Sequence, residues 1–222
     1  MNLNIFATAT EQDIAIIEYI TQIINQLLQT QENVTIALSG GTSPISLLKK
    51  LSTVNLPWKK ITLTLVDDRV VPITDPDSNE NLVRTHLIKH KAKKARFVGL
   101  VNQNSDQSVG LNERTCAKID LAILGIGEDG HTASIFPDCP EIFAALDINN
   151  PNHYIITNPK SAKYQRISLT LSSLVQIPHL ILRINGELKL KIIKEAILGN
   201  NQNYPISYVL TKRPDLKIYW HE

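Results

Sequence analysis

Apolar and polar positions along the chain recur with two periods, which predict helices and strands in turn. Residues 10–13, Thr-Glu-Gln-Asp, resemble a helix-start capping pattern, and apolar residues then recur at helical spacing over residues 14–28. Residues 34–38 predict a strand, and residues 44–51, which begin with proline, predict a helix with one apolar face. Further strands are predicted at residues 61–66, 119–124, 154–157, 166–171, 179–184 and 216–220, and further helices from Asp77 or Ser78 to Leu87 and over residues 188–197, with Gly199 as a C-cap.

Several of these predicted strands are apolar throughout, and predicted helices lie between them. Strands that are buried on both faces have this pattern, so we predict an α/β fold, a three-layer α/β/α sandwich with a mostly parallel, Rossmann-like sheet. Residues 102–115 are polar and predict a surface loop. No internal repeat and no shift in composition divides the chain, so we expect one domain over residues 1–222.

Composition and charge favour a globular intracellular protein. The 222 residues are 43% hydrophobic, enough for one large core, and a formal net charge of +2 requires no polyanionic partner. Cys116 and Cys139 are too few for a disulfide framework and lack zinc-site spacing. The basic run at residues 89–96 has no interleaved aromatics and predicts a solvated helix end. Without a signal-peptide pattern or a bilayer-spanning stretch, we expect a cytoplasmic protein that binds neither nucleic acid nor membrane.

Ser39, Gly40, Gly41 and Thr42 form a glycine-rich turn between a predicted strand and a predicted helix. Glycines there let backbone N–H groups point at an anion, the helix N-terminus adds favourable partial charge, and the two hydroxyls are candidate donors. The pattern predicts a phosphate site, and a tight turn with a Ser or Thr cap is the alternative. The GxxxxGK[ST] spacing is absent, which disfavours a nucleoside triphosphatase.

Charged residues stand near the ends of other predicted elements. Asp67, Asp68 and Arg69 follow a predicted strand, at the edge where open α/β sheets bind ligands, and the arginine fork suits a phosphate or a carboxylate. Arg166 and Lys189 lie where they can reach an anionic substrate. For each of these charges the alternative is a solvated position or a surface ion pair.

Residues 125–132, Gly-Ile-Gly-Glu-Asp-Gly-His-Thr, combine a glycine-dense turn after a predicted strand with Asp129 and His131. Histidine exchanges a proton near neutral pH and a nearby carboxylate can orient it, so the pattern predicts chemistry as well as binding. The glycines also match G-x-G-x-x-G, but His131, Thr132 and Pro137 stand where that motif requires a crossover helix. A nicotinamide or flavin enzyme is therefore a weak alternative, and a histidine satisfied by neighbouring backbone is another.

Taken in order, these segments resemble the 6-phosphogluconolactonase family from about Val34 to Lys189. The chain departs from the family pattern at Asp68, where glutamate is usual, in a short stretch between Val101 and Asp120, and in the residues that lead into Arg166. The matching motifs are Ser-Gly-Gly-Thr-Ser-Pro at 39–44, Asp-Asp-Arg-Val-Val-Pro at 67–72 with Asp-Ser-Asn at 77–79, the turn at 125–132 continued to residue 137, Arg-Ile-Ser-Leu-Thr at 166–170, and residues 186–189.

The resemblance implies hydrolysis of 6-phospho-D-glucono-1,5-lactone to 6-phosphogluconate in the oxidative pentose phosphate pathway, without a metal or an organic cofactor. In this hypothesis His131 activates water as a general base, Asp129 orients it, and backbone N–H groups between Gly127 and Gly130 stabilise the oxyanion. The implied substrate contacts, among which the division of the three cations between phosphate and oxyanion stays open, are Ser39, Gly40, Gly41, Thr42, Asp67, Arg69, Asn79, Gly127, Gly130, Thr132, Arg166 and Lys189.

Two other functions remain alternatives. Glucosamine-6-phosphate deaminase has a similar Asp-x-Gly-His turn but carries a glutamate at the position of Phe136, and phenylalanine cannot exchange a proton. A sugar-phosphate isomerase or deaminase is therefore disfavoured. A non-catalytic sugar-phosphate-binding module is disfavoured by the intact pair of Asp129 and His131. We expect the protein to be a monomer whose partner is a small-molecule sugar-phosphate lactone.

Overall fold

The computed structural model describes residues 2–101, 118–199, 201 and 203–222, and strands and helices follow one another through these residues. The predicted loop at residues 102–115 lies outside them. In chain order the elements are β1 (Asn2–Phe6), α1 (Ala9–Leu27), β2 (Val34–Leu38), α2 (Ile45–Leu51), β3 (Ile61–Leu65), β4 (Asp67–Arg69), α3 (Asn79–His86), β5 (Arg96–Phe97), β6 (Leu121–Leu124), α4 (Ile142–Ala145), β7 (Tyr154–Thr157), β8 (Arg166–Leu169), α5 (Leu171–Gln176), β9 (His179–Asn185), α6 (Glu187–Ala196), α7 (Ile206–Lys212) and β10 (Lys217–His221).

The main sheet has seven strands in the order β1-β10-β9-β6-β2-β3-β5. Every neighbouring pair in it is parallel, as the apolar strand pattern predicts. The central strand β6 is buried at all four positions, because helices cover both faces of a parallel sheet. The predicted α/β class with a mostly parallel sheet is therefore confirmed.

The direction of the crossovers distributes the helices over the two faces of this sheet. From β1 through β2 to β3 the chain moves toward one edge, whereas from β6 through β9 to β10 it moves toward the other. Since parallel crossovers are right-handed, opposite directions of travel place the connecting helices on opposite faces. The helices α1, α2 and α3 accordingly pack in one group, and α5, α6 and α7 pack in another.

A second, three-stranded sheet in the order β4-β8-β7 corrects part of the sequence prediction. Its strands are antiparallel, so residues 154–157 and 166–169 do not join the parallel sheet as their apolar character suggested. The second of these strands ends at Leu169 rather than Leu171, because Thr170 caps α5 by accepting a hydrogen bond from the amide of Ser173. Both sheets contribute to one continuous cluster of buried apolar residues.

Helix ends were predicted less accurately than helix positions. The first helix is capped by Thr8 rather than Thr10: its hydroxyl accepts from the amide of Glu11, whose carboxylate accepts from the amide of Ala7. The helix from Ser78 agrees with its prediction. The prediction of Gly199 as a C-cap is wrong, because Ile197 caps α6 and Gly199 lies two residues beyond it. The elements that the sequence did not predict are β1, β4, β5, α4, α5 and α7.

Candidate active site

A cavity of about 450 Å³ opens at the carboxyl edge of the parallel sheet. It lies where β2 and β6 are neighbours and the chain leaves them in opposite directions, toward β3 and toward β9 respectively. Such a topological switch point separates the two following loops and creates a crevice, which is where open α/β sheets bind their ligands. The loops after β2 and β6 line the cavity together with residues of β4, β8, β9 and α6.

The loop after β2 forms one wall of the cavity and presents backbone donors that are not used by any acceptor among the described residues. The amides of Gly40, Gly41, Thr42 and Ser43 donate no hydrogen bond to any described residue. Gly41 has a positive φ of 82°, which glycine adopts at no steric cost. These four amides, next to the start of α2, can donate hydrogen bonds to an anion.

Two details of this loop refine the sequence prediction. The hydroxyl of Ser39 donates to the carbonyl of Ile123 at 2.7 Å, so its hydrogen is used within the fold and is not offered to a ligand. A Cβ added to Gly40 would lie 1.8 Å from Oδ1 of Asn79, so glycine is required for that side chain to reach the cavity. Asn79 Nδ2 donates to the carbonyl of Asp67, whereas the buried Oδ1 has no partner among the described residues.

The second sheet brings two arginines together. Arg69 in β4 and Arg166 in β8 are directly paired in the antiparallel register, and both line the cavity. Each has a buried Nε without a partner in the described part of the protein. Burial, together with the charge of Arg69, lowers the pKa of Arg166 below its ordinary value. Two adjacent guanidinium groups with unused donors form a site for an anion.

The two aspartates before Arg69 have different environments. Asp67 lines the cavity and accepts a hydrogen bond of 2.5 Å from the hydroxyl of Ser134. Asp68 points into the protein, where its carboxylate accepts from the amides of Asn79 at 2.6 Å and Glu80 at 3.1 Å. Burial raises the pKa of Asp68 to about 6, against hydrogen bonds that lower it. Asp68 thus ties β4 to the first turn of α3 and lies behind the site.

His131 and Asp129 form the acid–imidazole pair that the glycine-dense turn predicts. The carboxylate lies 2.5 Å from Nδ1 of His131 and also accepts from its amide at 3.2 Å. Burial raises the pKa of Asp129, but the hydrogen bonds and charge of His131 outweigh it and lower that pKa below its ordinary value. In the neutral tautomer whose Nδ1–H donates to the carboxylate, Nε2 carries a lone pair; His131 lines the cavity.

The ring of Phe136 fixes the imidazole from the other side. It stacks on His131 with ring centroids 3.9 Å apart and planes 22° from parallel. The guanidinium of Arg166 lies 5.8 Å from the centre of the same phenyl ring. The carboxylate of Asp129 therefore restrains the histidine at Nδ1, and the ring of Phe136 restrains it at one face of the imidazole.

The two glycine amides of this turn are engaged inside it, whereas the amide of Glu128, which the predicted oxyanion site also includes, donates no hydrogen bond to a described residue. The amide of Gly127 donates to the carbonyl of His131 and that of Gly130 donates to the carbonyl of Gly127, so both are engaged inside the turn. A Cβ on Gly127 would lie 2.2 Å from the ring of His131. Thr132 is buried and donates to the carbonyl of Gly125, so it closes the turn instead of lining the cavity.

Lys189 and Arg183 add positive charge beside the loop after β2. Lys189, in the first turn of α6, is half-buried, and this burial lowers the pKa of its ammonium group. Arg183 lies in β9, donates to Ser43 and lines the cavity, although the sequence analysis did not include it. An arginine between apolar neighbours in the strand His-Leu-Ile-Leu-Arg-Ile-Asn was the available signal.

The cavity collects most of the residues that the sequence singled out. Asp129, Gly130 and Thr132 do not line it, and they hold or close the turn around His131. Ser134 and Phe136 line it without having been predicted as contacts. The predicted residues that do line it are Ser39, Gly40, Gly41, Thr42, Asp67, Arg69, Asn79, Gly127, His131, Arg166 and Lys189.

Metal sites and membrane-spanning helices are both absent from the described residues. Across the described residues, no group of three or more His, Cys, Asp or Glu side chains is arranged to hold a metal ion. Within the same residues, no helix combines the length and the apolar character needed to cross a membrane.

Comparison with known proteins identifies the family. Residues 7–220 match the family described as glucosamine-6-phosphate isomerases/6-phosphogluconolactonase. The chain is 34% identical over 212 residues to the 6-phosphogluconolactonase of Neisseria meningitidis serogroup A, covering 92% of each protein. It is 38% identical over 191 residues to that of Pseudomonas putida, covering 83% of this chain and 78% of the relative. A crystal structure of a 6-phosphogluconolactonase from Shewanella baltica superposes with a TM-score of 0.92 at 29% identity, over 99% of this chain and 97% of the other. The chain belongs to the glucosamine-6-phosphate isomerase/6-phosphogluconolactonase family.

Proposed function

We propose that the protein hydrolyses 6-phospho-D-glucono-1,5-lactone to 6-phosphogluconate, the lactone-opening step of the oxidative pentose phosphate pathway. The observation that carries this proposal is His131, which lines a cavity that also holds unused anion donors and whose Nδ1 lies 2.5 Å from the carboxylate of Asp129. The relatives with 34% and 38% identity are 6-phosphogluconolactonases, which supports the same substrate.

In the proposed reaction His131 acts as the general base. Its Nε2 takes a proton from water as the water oxygen bonds to C1 of the lactone, and the carbonyl becomes a tetrahedral oxyanion. When the bond from C1 to the ring oxygen breaks, the imidazolium returns the proton to that oxygen. Asp129 holds the imidazole by Nδ1 and stabilises its charged form, as a carboxylate does for a catalytic histidine. The new acid group ionises in solvent.

The phosphate of the substrate binds, in this proposal, to the open amides of residues 40–43 and to cationic side chains. Arg69, Arg166 and Lys189 are the candidate cations, since all three line the cavity. Because the amides of Gly127 and Gly130 are engaged within their turn, we also assign one of these side chains as a donor to the oxyanion. Arg166 is the strongest candidate, because it lies beside the phenyl ring that stacks on His131.

Substituting each cation by Met and comparing two substrates separates these roles. A phosphate ligand raises KM for the phosphorylated lactone and leaves hydrolysis of unphosphorylated glucono-1,5-lactone unchanged. An oxyanion donor lowers kcat for both substrates. We expect Arg166→Met to lower kcat for both substrates, and Lys189→Met to raise KM for the phosphorylated lactone only.

The function itself is tested by lactone hydrolysis with pure protein, corrected for the spontaneous reaction. Wild type should accelerate opening, and His131→Ala should lower kcat by about 10²–10⁴, the typical contribution of a general base. His86→Ala is the matched control, because His86 lies in α3 outside the cavity lining. Absence of acceleration by the wild type rejects the function, and full turnover by His131→Ala rejects the base. Ammonia release from glucosamine 6-phosphate would instead indicate a deaminase.

A further inference from the structure

A buried ionic cluster lies under the loop that follows β2. Asp13 of α1 has no exposed surface, and its Oδ1 accepts from Arg183 through Nη2 at 3.0 Å and Nε at 3.2 Å. Its Oδ2 pairs with Lys50 of α2 at 2.7 Å. Arg183 itself is 6% exposed. The cluster therefore connects two helices to a central strand directly below the cavity.

The remaining donors of Arg183 bind the loop. Its Nη1 donates to the carbonyl of Ser43 at 2.9 Å and to the hydroxyl of the same residue at 2.7 Å. An arginine has five N–H groups. Four of them are used by Asp13 and Ser43, so Arg183 has little capacity left to bind a ligand directly. Its contacts instead fix the end of the loop whose amides at residues 40–43 are open.

Stability alone does not explain an arginine at this position. The neighbours of Arg183 along β9 are apolar and buried, and replacing a buried ion pair by well-packed apolar residues often leaves stability unchanged or increases it. Burying the charge of Arg183 requires a desolvation penalty that an aliphatic side chain would not have. The two hydrogen bonds to Ser43 are what an aliphatic side chain could not supply.

We propose that Arg183 is a positioning residue for the phosphate loop. Held by Asp13, it fixes Ser43 and thereby keeps the amides of residues 40–43 directed at the phosphate of the substrate. This inference rests on the proposed function, since it concerns the same site. It assigns Arg183 to recognition of the phosphate group and not to the chemistry at C1.

The test compares Arg183→Met with wild type in two measurements. For the phosphorylated lactone we expect KM to rise about tenfold, the factor that corresponds to about 1.4 kcal/mol of lost binding, while kcat changes less than threefold. Titration calorimetry with 6-phosphogluconate, which needs no turnover, should show the same tenfold loss of affinity. Hydrolysis of unphosphorylated glucono-1,5-lactone should stay at the wild-type rate. Arg183→Lys, which can reach Asp13 or Ser43 but not both, should recover only part of the affinity.

Arg213→Met is the matched control. Arg213 also binds a carboxylate, Asp215, and main-chain carbonyls, including that of Pro178, but it does not line the cavity. The Arg213→Met substitution should lower the melting temperature of the protein and leave KM for the phosphorylated lactone unchanged. If Arg183→Met does not fold, Ser43→Ala should raise KM about threefold through loss of the hydroxyl contact.

Three results would overturn the inference: wild-type affinity for 6-phosphogluconate in the folded Arg183→Met or Ser43→Ala variant, equal losses on both lactones, or the same rise in KM in Arg213→Met. None of these is confused with failure of the proposed function, which would appear as an inactive wild type.

Discussion

Replacing Phe136 by leucine tests whether the stacked ring holds the imidazole of His131, the proposed base, in place. Phe136 is only 7% exposed and its ring lies 3.9 Å from that of His131. Leucine keeps an apolar side chain in the same space but has no flat face. The change therefore removes the stack while the contact between Asp129 and Nδ1 remains.

The size of the effect follows from the contacts that are lost. An aromatic pair in such a geometry contributes about 0.5–1.5 kcal/mol beyond its buried area. Loss of about 1 kcal/mol lets the imidazole leave its productive orientation and lowers kcat by about fivefold, at 1.36 kcal/mol for each tenfold. The apolar swap itself should cost about 1.5 kcal/mol of unfolding free energy or less. KM should stay within twofold of wild type, because Phe136 carries no charge for the phosphate.

Steady-state hydrolysis of the phosphorylated lactone, with urea unfolding of the same samples, measures both quantities. Phe97→Leu is the control, because Phe97 contacts Arg84 at the edge strand β5, outside the cavity lining. In a His131→Ala background, Phe136→Leu should have no further effect on kcat. The reasoning fails if Phe136→Leu keeps the wild-type kcat, or if it lowers kcat equally when His131 is already absent.

Two further predictions concern stability. Asp68 has a pKa of about 6 in the folded protein against an ordinary 3.8. Its protonated form therefore contributes fully to the free energy of unfolding below about pH 4, and this contribution is lost as the pH rises through 6. The loss is about 3 kcal/mol, at roughly 1.4 kcal/mol per unit of pKa. Asp68→Asn should flatten this part of the pH profile in urea unfolding, and an unchanged slope would contradict it. Gly130→Ala places a Cβ 2.8 Å from the Cα of Tyr204 at a φ of 76° and should cost about 2–4 kcal/mol. Gly125→Ala, whose Cβ meets nothing within 4 Å, should lower the free energy of unfolding much less in the same urea titration. Equal losses in the two variants would contradict the role of packing at Gly130.

The main sheet could be predicted because its strands carry their own signal. Residues 121–124 and 179–185 are apolar over most of their length, which only a strand covered on both faces requires. β4 could not be recognised in this way, since Asp67–Arg69 are three charged residues that form a strand only through pairing with β8. The edge strand β1 is similar, because its pairing with β10 is set by residues more than 200 positions away.

The candidate site was partly predictable for a related reason. Asp129 and His131 are two residues apart, so a local pattern already placed them together. The pairing of Arg69 with Arg166 depends on the register of two distant strands, and the role of Arg183 depends on Asp13, 170 residues away. The engaged amides of Gly127 and Gly130 are likewise a property of the folded turn, which no spacing of glycines reveals.

The charges around His131 also bear on how the proposed reaction ends. While Nε2 holds the proton of the attacking water, the imidazolium and the ionised Asp129 together are neutral, so the pair does not repel the oxyanion at C1. After the proton passes to the ring oxygen, the imidazole is neutral and the pair carries the negative charge of Asp129, whose lowered pKa keeps it ionised. Once the new acid group at C1 loses its proton to solvent, its carboxylate lies close to that charge. Repulsion at this end offsets the attraction of the cations for the phosphate. In the proposed reaction, Asp129 thus assists release of the product with the same charge that orients His131.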